Sequence, residues 1–214
     1  MPGPMSSQGT KLYLSDPEET RPITNVSKAA PATVTITGAA PAVGDKVVPT
    51  GTGFPSIDGK AFEVSVVAAQ VVTLKDSDTS LETGAGNTGN LALYGDLTEI
   101  CVATFNRDSP AAATLDVTTL CDEARQQLTG MKNNGTWTAA GFYDPTSAGQ
   151  VVLREAYDKG DKRLVDIVPP DKSHISFLTQ VNQLSETFGV DQPVALNTGG
   201  LVLGNVSYQM PPAP

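Results

Sequence analysis

Cysteine, histidine, tryptophan and charge are all scarce in this chain of 214 residues, and each shortage closes off a class of function. Two cysteines, Cys101 and Cys121, cannot supply a disulfide scaffold or an all-cysteine zinc site. In the compartment the chain otherwise implies, both are expected to be reduced and buried. With His174 as the one histidine, there is no Cys–His cluster. A Ser–His–Asp triad would have to use a histidine that follows a Pro-Pro turn, with no nucleophile motif elsewhere. His174 therefore reads as an exposed turn residue. No apolar run approaches the roughly 18 residues that span a bilayer, so no membrane insertion is expected. Met1-Pro-Gly-Pro-Met-Ser-Ser7 has neither a basic start nor an apolar segment and does not read as a secretory leader. Charged residues make up 17%, against about 25% in ordinary domains. With 14 Lys+Arg against 23 Asp+Glu, the net charge of −9 leaves no basic footprint for gripping nucleic acid.

What the chain has in quantity is Thr, Ser, Val, Gly and Pro in short alternating runs. Residues 1–22 are polar and interrupted by prolines, with Leu12-Tyr13-Leu14 as a short strand. Between residues 23 and 93, strands are expected at Ile23–Ser27, Thr33–Thr37, Lys46–Pro49, Ala61–Val67 and Gln70–Lys75. Turn chemistry at Val43-Gly44-Asp45 and Ile57-Asp58-Gly59-Lys60 separates them, and Thr83–Asn90 reads as a flexible glycine-rich connector. Such spacing describes a small β barrel or sandwich. From residue 94 onward, strands are expected at Thr98–Asn106, Thr114–Leu120, Thr136–Phe142 and Arg163–Val168, then at Ile175–Val181, Glu186–Val190, Pro193–Asn197 and Leu201–Tyr208. A single helix over Pro145–Tyr157 begins after Asp144-Pro145-Thr146-Ser147 and stops at Gly160, with Val151, Val152, Ala156 and Tyr157 as its buried stripe. The fold class is all-β with one α-helix.

The run from Thr114-Leu-Asp-Val-Thr-Thr-Leu through Leu128-Thr-Gly and Trp137 to Phe142-Tyr-Asp144-Pro resembles the tail tube proteins of long-tailed (siphovirus-type) bacteriophages. Gln150-Val-Val-Leu-Arg-Glu-Ala-Tyr157 resembles that family's helix, and Leu164-Val-Asp-Ile-Val-Pro-Pro-Asp171 its following strand and turn. Separately, Ala32-Thr-Val-Thr-Ile-Thr-Gly38, Val43-Gly-Asp-Lys-Val47 and Asp58-Gly-Lys-Ala-Phe62 resemble a small β domain found inserted in phage structural proteins and catalogued by similarity to ubiquitin-activating enzymes. The resemblance implies three parts: residues 1–22 as an arm with the first tube strand, 23–93 as an inserted small β-barrel domain, and 94–214 as the main tail-tube β-sandwich with its helix near 146–158. It implies a non-enzymatic virion protein that forms stacked, hexameric rings around a channel for genome delivery. The implied partners are further copies of the chain, a tape measure protein, and tail terminator and tail tip proteins. DNA would pass without specific binding, and assembly would take place in the host cytoplasm. The same residues leave two alternatives open: a secreted carbohydrate-binding or adhesive β module, and the tube subunit of a contractile secretion system.

No cofactor, metal or catalytic constellation is expected. Asp76 and Asp78, or Asp122 and Glu123, are carboxylate pairs of the kind any acidic chain contains. For the channel wall, expected to be acidic and hydroxyl-rich so that it repels the DNA backbone, alternation puts Thr114, Asp116 and Thr118 on one face of their strand. Gln180, Asn182 and Glu186 form a rival set on another. Asp122, Glu123, Arg125 and Lys132 lie in a polar loop that could reach a neighbouring ring, where mixed charge would set register more than affinity. Trp137, Phe142, Phe177 and Phe188 are candidate core or interface anchors. The charge-rich stretch Arg154–Arg163 is expected to be a solvated face.

Overall fold

The computed structural model describes residues 8–95, 97–112, 114–117, 124, 126–130 and 134–210. Alternating apolar and polar residues dominate the chain, and strands follow. They are β1 (Lys11–Ser15), β2 (Pro17–Val26), β3 (Thr33–Ile36), β4 (Lys46–Thr50), β5 (Phe62–Ala68), β6 (Val71–Leu74), β7 (Asn90–Tyr94), β8 (Thr98–Ile100), β9 (Thr104–Asp108), β10 (Thr114–Asp116), β11 (Gln127–Thr129) and β12 (Thr136–Phe142). After the helix α1 (Ala148–Lys159) come β13 (Lys162–Val168), β14 (His174–Thr187) and β15 (Ala195–Gln209).

Six strands close on themselves in the order β2-β3-β6-β5-β4-β7. Inside this barrel Val34, Ile36, Val47, Phe54, Leu74 and Leu91 are fully buried or nearly so, which is what period-two alternation produces when one face turns inward. The barrel runs from Pro17 to Tyr94, wider at both ends than residues 23–93, because β2 starts six residues before Ile23 and β7 supplies a strand not foreseen. The glycine-rich segment 83–90 is not a loose connector. Its backbone closes the barrel through Ile23 N–H to Gly89 O (2.9 Å) and Val26 N–H to Gly86 O (2.6 Å). Gly86 has a φ of +62°, and a Cβ there would lie 2.6 Å from the Phe54 ring, so no other residue fits.

The second body is a seven-stranded sheet ordered β8-β1-β13-β14-β15-β12-β9. One face packs around α1, burying Leu14, Trp137, Leu153, Ala156, Phe177 and Val181 in a single core. Ser147 is the N-cap of α1 and Gly160, in the left-handed conformation at φ 64°, ends it. The buried stripe of α1 is Gly149, Gln150, Leu153 and Ala156. Val151 and Tyr157, expected inside, are exposed, because the helix faces the sheet through the i, i+4, i+7 set beginning at Gly149. Gly149 comes so near the Glu99 carbonyl that a Cβ would sit 2.3 Å from it. The four short strands expected beyond residue 174 are two long ones, β14 and β15, which keep pairing through two register shifts.

Candidate assembly surfaces

Three features outside the two cores are placed by the topology: a seam between barrel and sheet, a projecting hairpin, and an uncovered half of the sheet.

The barrel sits on the face of the sheet that points away from α1. Val48, Ala61 and Tyr94 of the barrel bury against Leu164 and Leu178 of the sheet. Burial pushes the Tyr94 phenol up to about 12. Beside this contact Lys46 is 2% exposed and Asp166 fully buried. Lys46 Nζ donates to Gln209 Oε1 (3.0 Å) and lies 3.6 Å from Glu63 and 3.8 Å from Asp166. Asp166 also accepts from Ser176 Oγ (2.6 Å) and meets His174 Nδ1 at 2.8 Å. Desolvation holds the Lys46 ammonium below its ordinary range, against the pull of Asp166 and Glu63. His174 is thus a half-buried partner of a buried carboxylate, not an exposed turn residue. Sequence reading missed the cluster, since its members are far apart in the chain and each looks ordinary alone.

Residues Thr114–Asp116 and Gln127–Thr129 form a separate two-stranded sheet, entered from β9 and left toward β12. Leu115 pairs with Leu128, and Thr114 with Thr129. One face therefore carries Leu115, Val117 and Leu128, exposed by 61%, 39% and 59%. The other carries Thr114, Asp116, Gln127 and Thr129, also exposed. Asp116 is thus on a solvated face, but the opposite face is equally bare and not half-buried. Thr118, Asp122, Glu123, Arg125 and Lys132, like Cys121, lie outside the described residues.

The uncovered half of the sheet consists of β9, β12, the first part of β15 and the last part of β14. Its outward face carries Thr104, Asn106, Thr138, Gln183, Ser185 and Asn197, which line a shallow depression of about 360 Å³. Gln180, Asn182 and Glu186 do not share one face of β14. Gln180 pairs with Leu201 and Gln183 with Gly199, which leaves Asn182 as the extra residue of a bulge. Past the bulge the alternation reverses. Glu186 lies on the helix side, 3.9 Å from Arg154, while Gln180 points outward and donates to the Gly160 carbonyl (2.9 Å).

The four aromatic candidates divide. Phe177 and Trp137 are core, the latter donating its indole N–H to Thr179 and stacking on Phe105 at 5.9 Å between centroids. Phe142 and Phe188 are exposed by 64% and 70% and are no part of that core. In the charge-rich stretch, Lys159 and Glu155 pair on the surface of α1 (3.3 Å), but Arg163 is buried and pairs with Asp16 and Asp161. Cys101 is exposed rather than buried. Among the described residues no group of three or more His, Cys, Asp or Glu side chains could hold a metal ion, and no helix is long and apolar enough to cross a membrane.

The sequence pattern of one family, phage tail tube protein (TTP), matches residues 52–197. No curated protein sequence matches the chain. Among solved structures, the tail of an empty GTA particle, determined with helical refinement in C6 symmetry, is 15% identical. That match covers 54% of this chain and 87% of the other, with a TM-score of 0.46.

Proposed function

The chain belongs to the phage tail tube protein family, a structural and non-enzymatic virion component of the tail, and from that premise we propose that it is the ring-forming subunit of a long-tailed phage's tube. Six copies close into a ring, rings stack, and the polar bore conducts DNA from capsid to host without binding it specifically. Residues 94–214 together with β1 form the tube, and the barrel is an inserted domain on its outer side. Tape measure, terminator and tip proteins meet the tube along its axis and at its ends, and assembly takes place in the host cytoplasm.

The hairpin β10–β11 is the observation that carries self-assembly. An isolated two-stranded hairpin is marginal in water, and this one has strands of three residues with both faces exposed. Three apolar side chains left exposed on so short an element call for a surface supplied by another copy. We assign it, with Asp122, Glu123 and Arg125 between its two strands in sequence and Lys132 just beyond the second, to contacts between stacked rings. Phe142 and Phe188 are exposed where β12 and β14 end, at the opposite end of the sheet from the hairpin, and suit the receiving side. A patch at one end meeting a different patch at the other gives a head-to-tail stack.

Negative-stain microscopy of the purified protein tests the proposal. Rings or hollow rods are the expected result. A protein that stays monomeric at high concentration, or that binds glycans as a monomer, would favour an adhesive module instead.

A further inference from the structure

A cleft of about 610 Å³ opens where the barrel meets the last residues of β15. That volume lies within the roughly 300–1,000 Å³ of small-ligand pockets, which concentrate at junctions between folded bodies. Its two walls differ in chemistry. Tyr208 and Met210 at the end of β15, with Pro31 ahead of β3, make the apolar wall. Ser65 on β5, with Lys75, Asp76 and Asp78 just after β6, makes the polar one.

Both walls are fixed before any ligand arrives. Gln209, between Tyr208 and Met210, turns away into the seam, where its Oε1 accepts from Lys46 Nζ (3.0 Å). The end of β15 is thereby pinned to the barrel. Arg107 Nη2 donates to Tyr208 Oη (2.8 Å), so the ring is held at its tip as well. Yet Tyr208 is exposed by 64% and Met210 by 79%, an apolar surface that neither core uses. On the barrel side, Ala32 N–H donates to Ser77 Oγ (2.9 Å) and Thr79 N–H to Ala29 O (3.1 Å), which fastens the segment carrying Asp76 and Asp78. Lys75 Nζ donates to Glu63 Oε1 (3.1 Å), and Ser80 gives its N–H and O–H to Asp78 Oδ1 (2.9 and 2.6 Å). Side chains held in this way lose little freedom when a ligand binds.

We propose that this cleft binds a neutral saccharide. A sugar ring has a face of C–H groups and a rim of hydroxyls. The C–H face lies on the Tyr208 ring and Met210, as an apolar group does on an aromatic one. The hydroxyls both donate and accept, so they meet the Asp76 and Asp78 carboxylates as donors and Lys75 and Ser65 as acceptors. Charge argues against the other ligands. Two carboxylates disfavour a polyanion such as DNA, and Lys75 among them disfavours a strongly basic peptide. The inference goes beyond the tube reading and does not rest on it. In a tube, the cleft places a glycan site at the junction of each sheet with its barrel.

The test is a printed panel of neutral oligosaccharides of glucose, galactose, mannose, rhamnose and N-acetylglucosamine. It is probed with the purified protein, as rods where rods form, and binders are followed by calorimetry. At least one member should bind. Tyr208→Ala, and Asp76→Asn with Asp78→Asn, should each weaken that binding about tenfold or more. Tyr208→Phe keeps the ring and should bind nearly as the unaltered protein does. Glu155→Gln on the outer side of α1 should change nothing. Circular dichroism checks that each variant is folded. Rods that bind no member of the panel, binding that survives both sets of substitutions, or capture of an arginine-rich peptide in preference to every sugar overturns the inference and leaves the tube reading standing. A chain that never assembles but binds a sugar through these residues upholds the cleft and removes the tube reading instead.

Discussion

The barrel and the seven-stranded sheet are built from the same alternating pattern and end in opposite conditions. In the barrel each of six strands is paired on both sides, so backbone donors and acceptors are satisfied within one chain. In the sheet, β8 and β9 each have one strand neighbour among the described residues, and half of β14 is open as well. The barrel needs nothing further for its hydrogen bonds. The sheet has edges that water or another copy must complete. The difference teaches where assembly would be written under the proposed tube reading, in what a region leaves unpaired: tube formation would belong to the sheet and its hairpin, and the barrel should follow passively.

The sharpest way to break that comparison is to charge the hairpin. Leu115→Lys with Leu128→Glu keeps an attractive cross-strand pair but removes the apolar stripe. Burying two leucines is worth roughly 3–6 kcal/mol per contact, repeated around a ring. The double variant should therefore form no rods. Both positions are exposed in the monomer, so thermal unfolding should change by no more than about 0.5 kcal/mol. Rods of normal length from this variant would exclude the hairpin from stacking.

The seam between the two regions should be the next most sensitive place. Lys46→Met leaves Asp166 buried with only His174 and Ser176, and breaking a buried ion cluster from one side costs about 3–5 kcal/mol. Adding Asp166→Asn to that variant removes the uncompensated charge and should recover most of the loss in denaturant unfolding. Equal and additive losses from the two single variants would show that Lys46 and Asp166 do not act as a pair.

Much of the barrel was legible because its turns are punctuated: Asp58-Gly59 and Val43-Gly44-Asp45 mark where strands must end, and the strands between them fall close to their expected places. β12, over Thr136–Phe142, coincides with expectation for the same reason, being bounded by Gly135 and Asp144-Pro145. The sheet was less legible where strands run on through signals that normally stop them. Gly199-Gly200 lie inside β15, and the bulge at Asn182 reverses which side chains face outward, so strict alternation misplaced Glu186. The phase of α1 was misread because Val151 and Val152 look more like core than Gly149 does, although Gly149 is where the helix comes closest to the chain beside it. Nothing local marks Lys46, Asp166 and His174 as neighbours. Only the docking of barrel on sheet brings them together, and pairing between elements remote in sequence leaves no periodic trace.

Tyr94 gives the smallest and most specific probe of the seam. It belongs to the last barrel strand and packs against Leu164 and Leu178 of the sheet, where burial raises its phenol to about 12 from an ordinary value near 10. A raised acid pKa means that the fold favours the neutral phenol. Its contribution is fully present below about pH 10 and is lost as pH climbs from about 10 to about 12. Two units correspond to about 2–3 kcal/mol at the top of that range. Tyr94→Phe should leave neutral-pH stability nearly unchanged and make the fall in stability above about pH 10 shallower by that amount. If unfolding curves of the two proteins run parallel from neutrality into that alkaline window, Tyr94 is not held between barrel and sheet in solution, and the two regions move independently rather than as one docked body.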